Sequence, residues 1–168
     1  MKYIKQTKTI SKIKKFFYTN GWDPLRYQIE SWEAFLNGEN GIIQVPTGCG
    51  KTYAALMGPL SKIENPKNNN SVNILLITPL KALSRDLKNS IQLAALHFNK
   101  DINVEIRNGD TTPYEKKKQL AKPPNILITT PESLTLLLSN KESNNLFKGL
   151  TSIIIDEWHE LMGSKRGN

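Results

Sequence analysis

Few sequence features restrict a fold as tightly as a glycine-rich turn that has to join a strand to a helix. Gln44-Val-Pro-Thr-Gly-Cys-Gly-Lys-Thr52 has that composition, with the apolar run Gly41-Ile42-Ile43 before it and the helix-like run Tyr53-Ala-Ala-Leu-Met57 after it. In such a turn successive backbone N–H groups point inward and form a nest for an anion, and the positive end of the following helix adds to the field. Gly48 and Gly50 let the backbone approach phosphates with no Cβ in the way. Pro46, Thr47, Gly48, Cys49, Gly50, Lys51 and Thr52 are therefore the expected cradle of a nucleoside triphosphate. Lys51 is expected at the β- and γ-phosphates and the Thr52 hydroxyl on Mg²⁺. One position departs from the consensus, which opens the loop with glycine: Val45 stands there.

The remaining composition narrows the class. At 168 residues, 38% apolar and 23% charged, the chain suits one globular domain. No apolar run approaches the ~20 residues that span a bilayer, and Met1–Ile10 has no apolar signal core. The single cysteine, Cys49, excludes an internal disulfide and suits a reducing cytoplasm; it reads as a small residue tolerated between two glycines. A net charge of +8 fits a polyanionic partner, although a lysine-rich composition with many Asn and Ile residues arises from genomic base bias as well.

In chain order, Ile10, Ile13 and Phe17 at helical spacing predict a basic amphipathic helix over residues 1–20, either closing one end of the core or lying on a membrane surface. Gly21-Trp22-Asp23-Pro24 is a break, with Asp23 placed to cap and Pro24 at the first position of a helix running to Asn37. Strands are predicted at Ile42–Val45, Val72–Ile77, Asn103–Arg107, Ile126–Thr129 and Ser152–Ile155. The helices between them are the one after the glycine-rich turn, kinked or ended at Gly58-Pro59, then residues 80–99, Pro113–Ala121 and Pro131–Leu138. Apolar strands alternating with helices predict an α/β fold: a parallel, doubly wound sheet with helices on both faces. Ligands of such sheets bind beyond the carboxyl ends of the strands. Pro46–Thr52, Thr78–Lys81, Asn108–Thr111, Thr130–Ser133 and Asp156–His159 are each expected there.

The last strand, Ile153-Ile-Ile155, ends in Asp156-Glu157. The first carboxylate is expected to share Mg²⁺ with Thr52, and the second to orient and deprotonate a water in line with the γ-phosphate. Two adjacent acids suit hydrolysis better than phosphoryl transfer to a small acceptor.

Pro46-Thr-Gly-Cys-Gly-Lys-Thr52 together with Asp156-Glu-Trp-His159 resembles motifs I and II of superfamily 2 DExH-box helicases. Asp156-Glu-Trp-His-Glu-Leu161, followed by Met162-Gly-Ser-Lys-Arg-Gly167, is similar to the large helicase-related family, and within it to bacterial ligase-associated DEXH-box helicases. The resemblance runs from about Phe16 to Gly167 and implies a RecA-like P-loop NTPase domain. It divides the chain into an N-terminal helical extension, 1–20, and a helicase ATP-binding domain, 21–168, truncated after motif II.

By position, Trp22, Tyr27 and Gln28 resemble the Q motif. The Gln28 amide would read the adenine edge, with Trp22 or Tyr27 packing near the base. Thr78, Pro79 and Lys81 resemble motif Ia, Gly109, Asp110 and Thr111 a glycine-containing contact, and Thr130, Pro131, Glu132 and Ser133 motif Ib. In the family these loops grip one strand by its sugar–phosphate backbone. Lys51, Asp156, Glu157 and His159 would be catalytic, His159 coupling nucleotide state to the nucleic acid. The resemblance thus implies ATP and Mg²⁺ as cofactors. Its implied partners are single-stranded or partly duplex DNA, or an RNA–DNA hybrid, a second RecA-like domain, and an ATP-dependent DNA ligase in DNA repair. Two alternatives are a catalytically silent fragment that binds nucleotide or nucleic acid, because the second motor domain is missing, and a small-molecule kinase. The sequence stops a few residues after motif II, so the chain is expected to be the N-terminal fragment of a longer helicase or the product of a gene truncated there.

Overall fold

The computed structural model describes residues 2–64, 66, 70–79, 82–98 and 101–162. They form two compact units, one through Ile63 and one from Glu64 onward. The Lys81 expectation and the residues after Met162 lie outside the described set.

The first unit is helical: α1 (Lys2–Thr19), α2 (Arg26–Asn37) and α3 (Lys51–Lys62). On α1, Ile10, Ile13, Phe16 and Phe17 are buried. At about 1.5–3 kcal/mol for each such side chain, this face belongs to the protein core and none of it is left for a membrane. Trp32 on α2 is fully buried and donates its indole N–H to the Tyr53 carbonyl at 3.0 Å. The α2 start differs from expectation. Leu25 is the N-cap and Asp23 makes no cap; the Gln28 side chain reaches back to accept from the Leu25 N–H at 2.8 Å. Gly58-Pro59 does not end α3, which runs on to Lys62 with Pro59 inside it. An interior proline costs about 3 kcal/mol or more, and fully buried Leu56, Met57 and Leu60 around it are of a size to offset that.

The second unit holds β1 (Ile74–Ile77), α4 (Leu83–His97), β2 (Val104–Arg107), α5 (Pro113–Ala121), β3 (Ile126–Thr129), α6 (Pro131–Leu138), a 3₁₀ turn at Lys141–Asn145, β4 (Ser152–Ile155) and α7 (Trp158–Met162). The strands form one parallel sheet in the order β2-β3-β1-β4. One face of the sheet carries Leu75 and Leu127, packed with Leu137 of α6 and Leu146. Ile74, Leu76, Ile126 and Ile128 point the other way and are equally buried, and α4 packs against β2 and β3. Both faces are covered, as continuous apolar strands require.

Two strand expectations fail. Ile42–Val45 forms no strand: apolarity alone does not make one, a hydrogen-bonded neighbour does, and among the described residues this run has no ladder partner, with Ile42 left 78% exposed. The sheet therefore has four strands where five were predicted. Nor is β4 covered throughout. As an edge strand it leaves Ile153 57% and Ile155 49% exposed. Among the described residues no helix is long and apolar enough to cross a membrane.

Candidate functional site

In the first unit the chain enters α3 through two glycines in the left-handed region, Gly48 (φ +84) and Gly50 (φ +81). Gly50 is the α3 N-cap and offers no side-chain cap, so the first N–H groups of the helix face the loop, the arrangement that receives an anion. Pro46, Thr47 and Gly48 are exposed, while Cys49, Gly50, Lys51 and Thr52 are half-buried. The Lys51 ammonium donates back across the loop to the Val45 carbonyl at 3.3 Å. Because the contact uses a main-chain oxygen, the non-glycine residue at position 45 still serves the loop.

Tyr27 and Gln28 are both bonded to this loop. The Tyr27 hydroxyl donates to the Cys49 carbonyl, and the Gln28 amide nitrogen to the Gly50 carbonyl at 3.1 Å. Gln28 is buried, and its oxygen is held by Leu25. Burial, then the nearby Cys49, raises the Tyr27 pKa, which keeps the hydroxyl a donor. In this conformation the Gln28 amide fixes the glycine-rich loop through the Gly50 carbonyl. Trp22, 43% exposed, sits in an aromatic cluster with Phe16, Phe17 and Tyr53, at centroid distances of 6.2, 6.2 and 5.7 Å.

In the second unit the register aligns Arg107, Thr129, Ile77 and Ile155 at the ends of their strands. Asn108, Thr130, Thr78 and Asp156 therefore follow side by side along one carboxyl edge. The backbone ladder continues one step past the strands, Thr78 N–H to the Thr129 carbonyl and Asp156 N–H to the Ile77 carbonyl.

Several hydroxyls of the loops on this edge face inward. Thr78 is fully buried and Pro79 is buried as well. Thr130 caps α6, its oxygen accepting from the Ser133 N–H at 3.4 Å and lying 3.2 Å from the Ser133 hydroxyl, and both residues are buried. Thr78, Thr130 and Ser133, expected among the strand-gripping residues, are thus buried in this structure. What the loops present is backbone, the half-buried Pro131 and the exposed Glu132. The Thr130-Pro-Glu-Ser133 sequence carries a helix N-cap signal that accounts for this. Gly109 and Asp110 are exposed, and Thr111 is half-buried. The turn is tied by Asn108, whose side chain accepts from the Asp110 N–H at 2.9 Å, while the Thr111 hydroxyl accepts from the Asn108 N–H at 2.9 Å. Asn108 opens the Asn108–Thr111 segment expected at this edge, and Asn-Gly-Asp-Thr is a side-chain-stabilised turn signature.

At the end of β4, Glu157 is the one non-glycine residue with positive φ among those described (+47). Such a conformation costs on the order of 1–3 kcal/mol and persists only where its surroundings enforce it. Here its N–H bonds Asp156 Oδ1 at 3.1 Å and its carbonyl receives the Glu160 N–H at 2.9 Å. The Glu157 carboxylate lies 3.5 Å from His159 Nδ1, and the other imidazole nitrogen is 3.7 Å from Glu160. The structure thus brings Asp156, Glu157 and His159 together.

The family model described as DEAD/DEAH box helicase matches residues 25–168. The ATP-dependent helicase Lhr-Core of Saccharolobus solfataricus is 41% identical over 138 residues, covering 76% of this chain and 16% of that protein. The Lhr helicase/probable uracil glycosylase of Mycolicibacterium smegmatis is 32% identical over 166 residues, covering 92% of this chain and 11% of that protein. The solved structure of the Mycobacterium smegmatis helicase Lhr bound to ssDNA and AMP-PNP matches with a TM-score of 0.79 at 31% identity, over 92% of this chain and 21% of that one. The chain therefore spans a small part of the length of these relatives. Its parallel α/β sheet and its glycine-rich loop are those of a RecA-like helicase domain, and its relatives carry the Lhr name. The chain belongs to the DEAD/DEAH box helicase family.

Proposed function

We propose that the chain is the ATP-hydrolysing half of a motor that moves along one strand of DNA. The observation that carries this reading is the uncapped start of α3 behind two left-handed glycines, with Lys51 and Thr52 in its first turn. The site takes ATP in this reading, with Lys51 on the β- and γ-phosphates. Thr52 offers a hydroxyl and Asp156 a carboxylate, each the kind of hard oxygen donor that would hold Mg²⁺, and such an ion would neutralise charge on the phosphates. Glu157 takes a proton from the water that attacks the γ-phosphorus, ADP leaves, and His159 beside Glu157 relays the change toward the nucleic acid.

The strand runs along the carboxyl edge of the sheet, against Gly109, Asp110, Thr111, Pro131 and Glu132 and the backbone N–H groups between them, with Lys81, carried over from the motif Ia resemblance, as a further contact. Phosphate contacts of this kind hold position without reading sequence. A second RecA-like domain in the longer protein closes on the nucleotide and supplies the arginine finger, a device worth ~10³–10⁵ in turnover. We place the protein in the cytoplasm, in DNA repair beside an ATP-dependent ligase.

The test is nucleotide binding and phosphate release by the intact protein and by Lys51→Ala. Wild type is expected to bind ATP and to release phosphate faster with single-stranded DNA, and Lys51→Ala to lose both. Phosphate delivered to a small acceptor would overturn the reading, as would ATP binding untouched by the substitution.

A further inference from the structure

The helix α5 has one face that the site does not use. Tyr114, Lys117, Lys118 and Ala121 fall within one arc of it, at i, i+3, i+4 and i+7, and Lys122 follows; all five are exposed. The opposite face is fastened to the protein. Gln119 is buried and donates to the Ile106 carbonyl at 3.0 Å. Arg107 reaches the Lys116 carbonyl at 3.1 Å and the Gln119 side-chain oxygen at 3.2 Å, and Leu120 packs on the core cluster. A capping box between Thr112 and Glu115 closes the first turn.

The stripe is therefore fixed before any partner arrives, which lowers the ordering cost of binding. The Glu115 carboxylate, the acid on this helix, is hydrogen-bonded by the Thr112 N–H and hydroxyl and keeps its charge; Lys117, Lys118 and Lys122 outnumber it and leave the stripe positive. Tyr114 is the odd residue there. It is 77% exposed in the first turn, three positions after Thr111, at the carboxyl edge of the sheet.

We propose that Tyr114, Lys117, Lys118 and Lys122 form an accessory contact for single-stranded nucleic acid, continuing the track away from the Gly109–Thr111 loop. The proposal rests on the reading of the carboxyl edge as a nucleic-acid track. An exposed ring flanked by lysines matches what a single strand offers, a π-face on every base and a phosphate at every step. Helix α5 is about 13 Å long at ~1.5 Å per residue, the span of about four stacked nucleotides at ~3.4 Å each. Tyr114 would stack on a base leaving the loop, and the lysines would follow the phosphates. A membrane surface fits less well, because one aromatic ring among lysines is not an apolar face.

The test is binding of fluorescein-labelled oligo(dT) to the intact protein across a salt series, for wild type, Tyr114→Ala, Tyr114→Phe and Lys117→Ala/Lys118→Ala. Removing two phosphate contacts is expected to flatten the log–log salt slope by about 1.4, at ~0.7 per contact on a single strand. Tyr114→Ala is expected to weaken binding by about fivefold or more, and Tyr114→Phe to bind like wild type, because the ring and not the hydroxyl is used. Melting temperatures of the variants should match wild type. Wild-type binding with an unchanged slope and affinity in all variants overturns the stripe alone. Wild type that binds ATP but no strand overturns the track reading and the stripe with it. Competition by poly(glutamate) as effective as by oligo(dT) at equal charge overturns the stacking role of Tyr114.

Discussion

Gly48 and Gly50 have nearly the same left-handed backbone, φ +84 and φ +81, yet a methyl group at each meets very different surroundings. At Gly48 nothing lies within 4 Å of the added Cβ. At Gly50 it comes to 2.7 Å from the Gln28 amide nitrogen and 4.0 Å from the Tyr27 hydroxyl. Both alanine substitutions incur the left-handed penalty, about 1–2 kcal/mol. Gly50→Ala must also displace a buried amide that holds the Gly50 carbonyl and the Leu25 N–H. Leaving those groups unsatisfied adds about 1–3 kcal/mol. Nucleotide-free denaturation should therefore show Gly48→Ala destabilised by roughly 1–2 kcal/mol and Gly50→Ala by roughly 2–5 kcal/mol. At ~2–4 °C per kcal/mol for a chain of this size, the gap is several degrees in melting temperature. In a Gln28→Ala background the clash partner is gone, and the excess cost of Gly50→Ala should shrink. Equal effects at the two glycines would refute the reasoning, and so would an excess that survives Gln28→Ala undiminished.

Two further expectations follow from hydrogen bonds. Tyr27→Phe removes the donor to the Cys49 carbonyl, worth about 0.5–1.5 kcal/mol. It should weaken ATP binding by roughly 2- to 12-fold with the ATP-to-GTP preference unchanged; altered base preference at full affinity would instead place Tyr27 at the base. Glu115 is held below its ordinary carboxylate value by the hydrogen bonds from the Thr112 side chain and then its backbone. With a folded pKa below the unfolded one, its support of the α5 start is present above about 4.5 and lost as pH falls through the folded value. Amide exchange in residues 114–116 should quicken over that acid range in wild type and show no such transition in Glu115→Gln; identical profiles would contradict it.

Much of the fold was legible because its signals are local. Apolar runs near residues 74, 104, 126 and 153, each followed by turn chemistry, gave the strands, and parallel pairing then fixed which loops share an edge. Ile42–Val45 carried the same apolar signal without becoming a strand, because pairing is supplied by a neighbour that composition does not reveal. Gln28 and Tyr27 were recognisable as important from the helix that bears them. Their partners lie 22 residues away, and no pattern in the chain points from one to the other. Thr130 and Ser133 were legible as a helix start, and the structure shows the cap they form. Glu157 was legible as an acid, while its positive φ, held by local bonds to Asp156 and Glu160, is not announced by residue type.

That conformation makes Glu157→Gln a clean probe of the central claim, since glutamine shares the shape of glutamate and meets the same backbone constraint. The measurement is phosphate release by the intact protein with and without single-stranded DNA, with ATP binding followed in parallel. The expected result is that DNA-stimulated release collapses in Glu157→Gln while ATP binding survives. Equal release by variant and wild type, or release indifferent to DNA, would contradict a motor driven by ATP at this site.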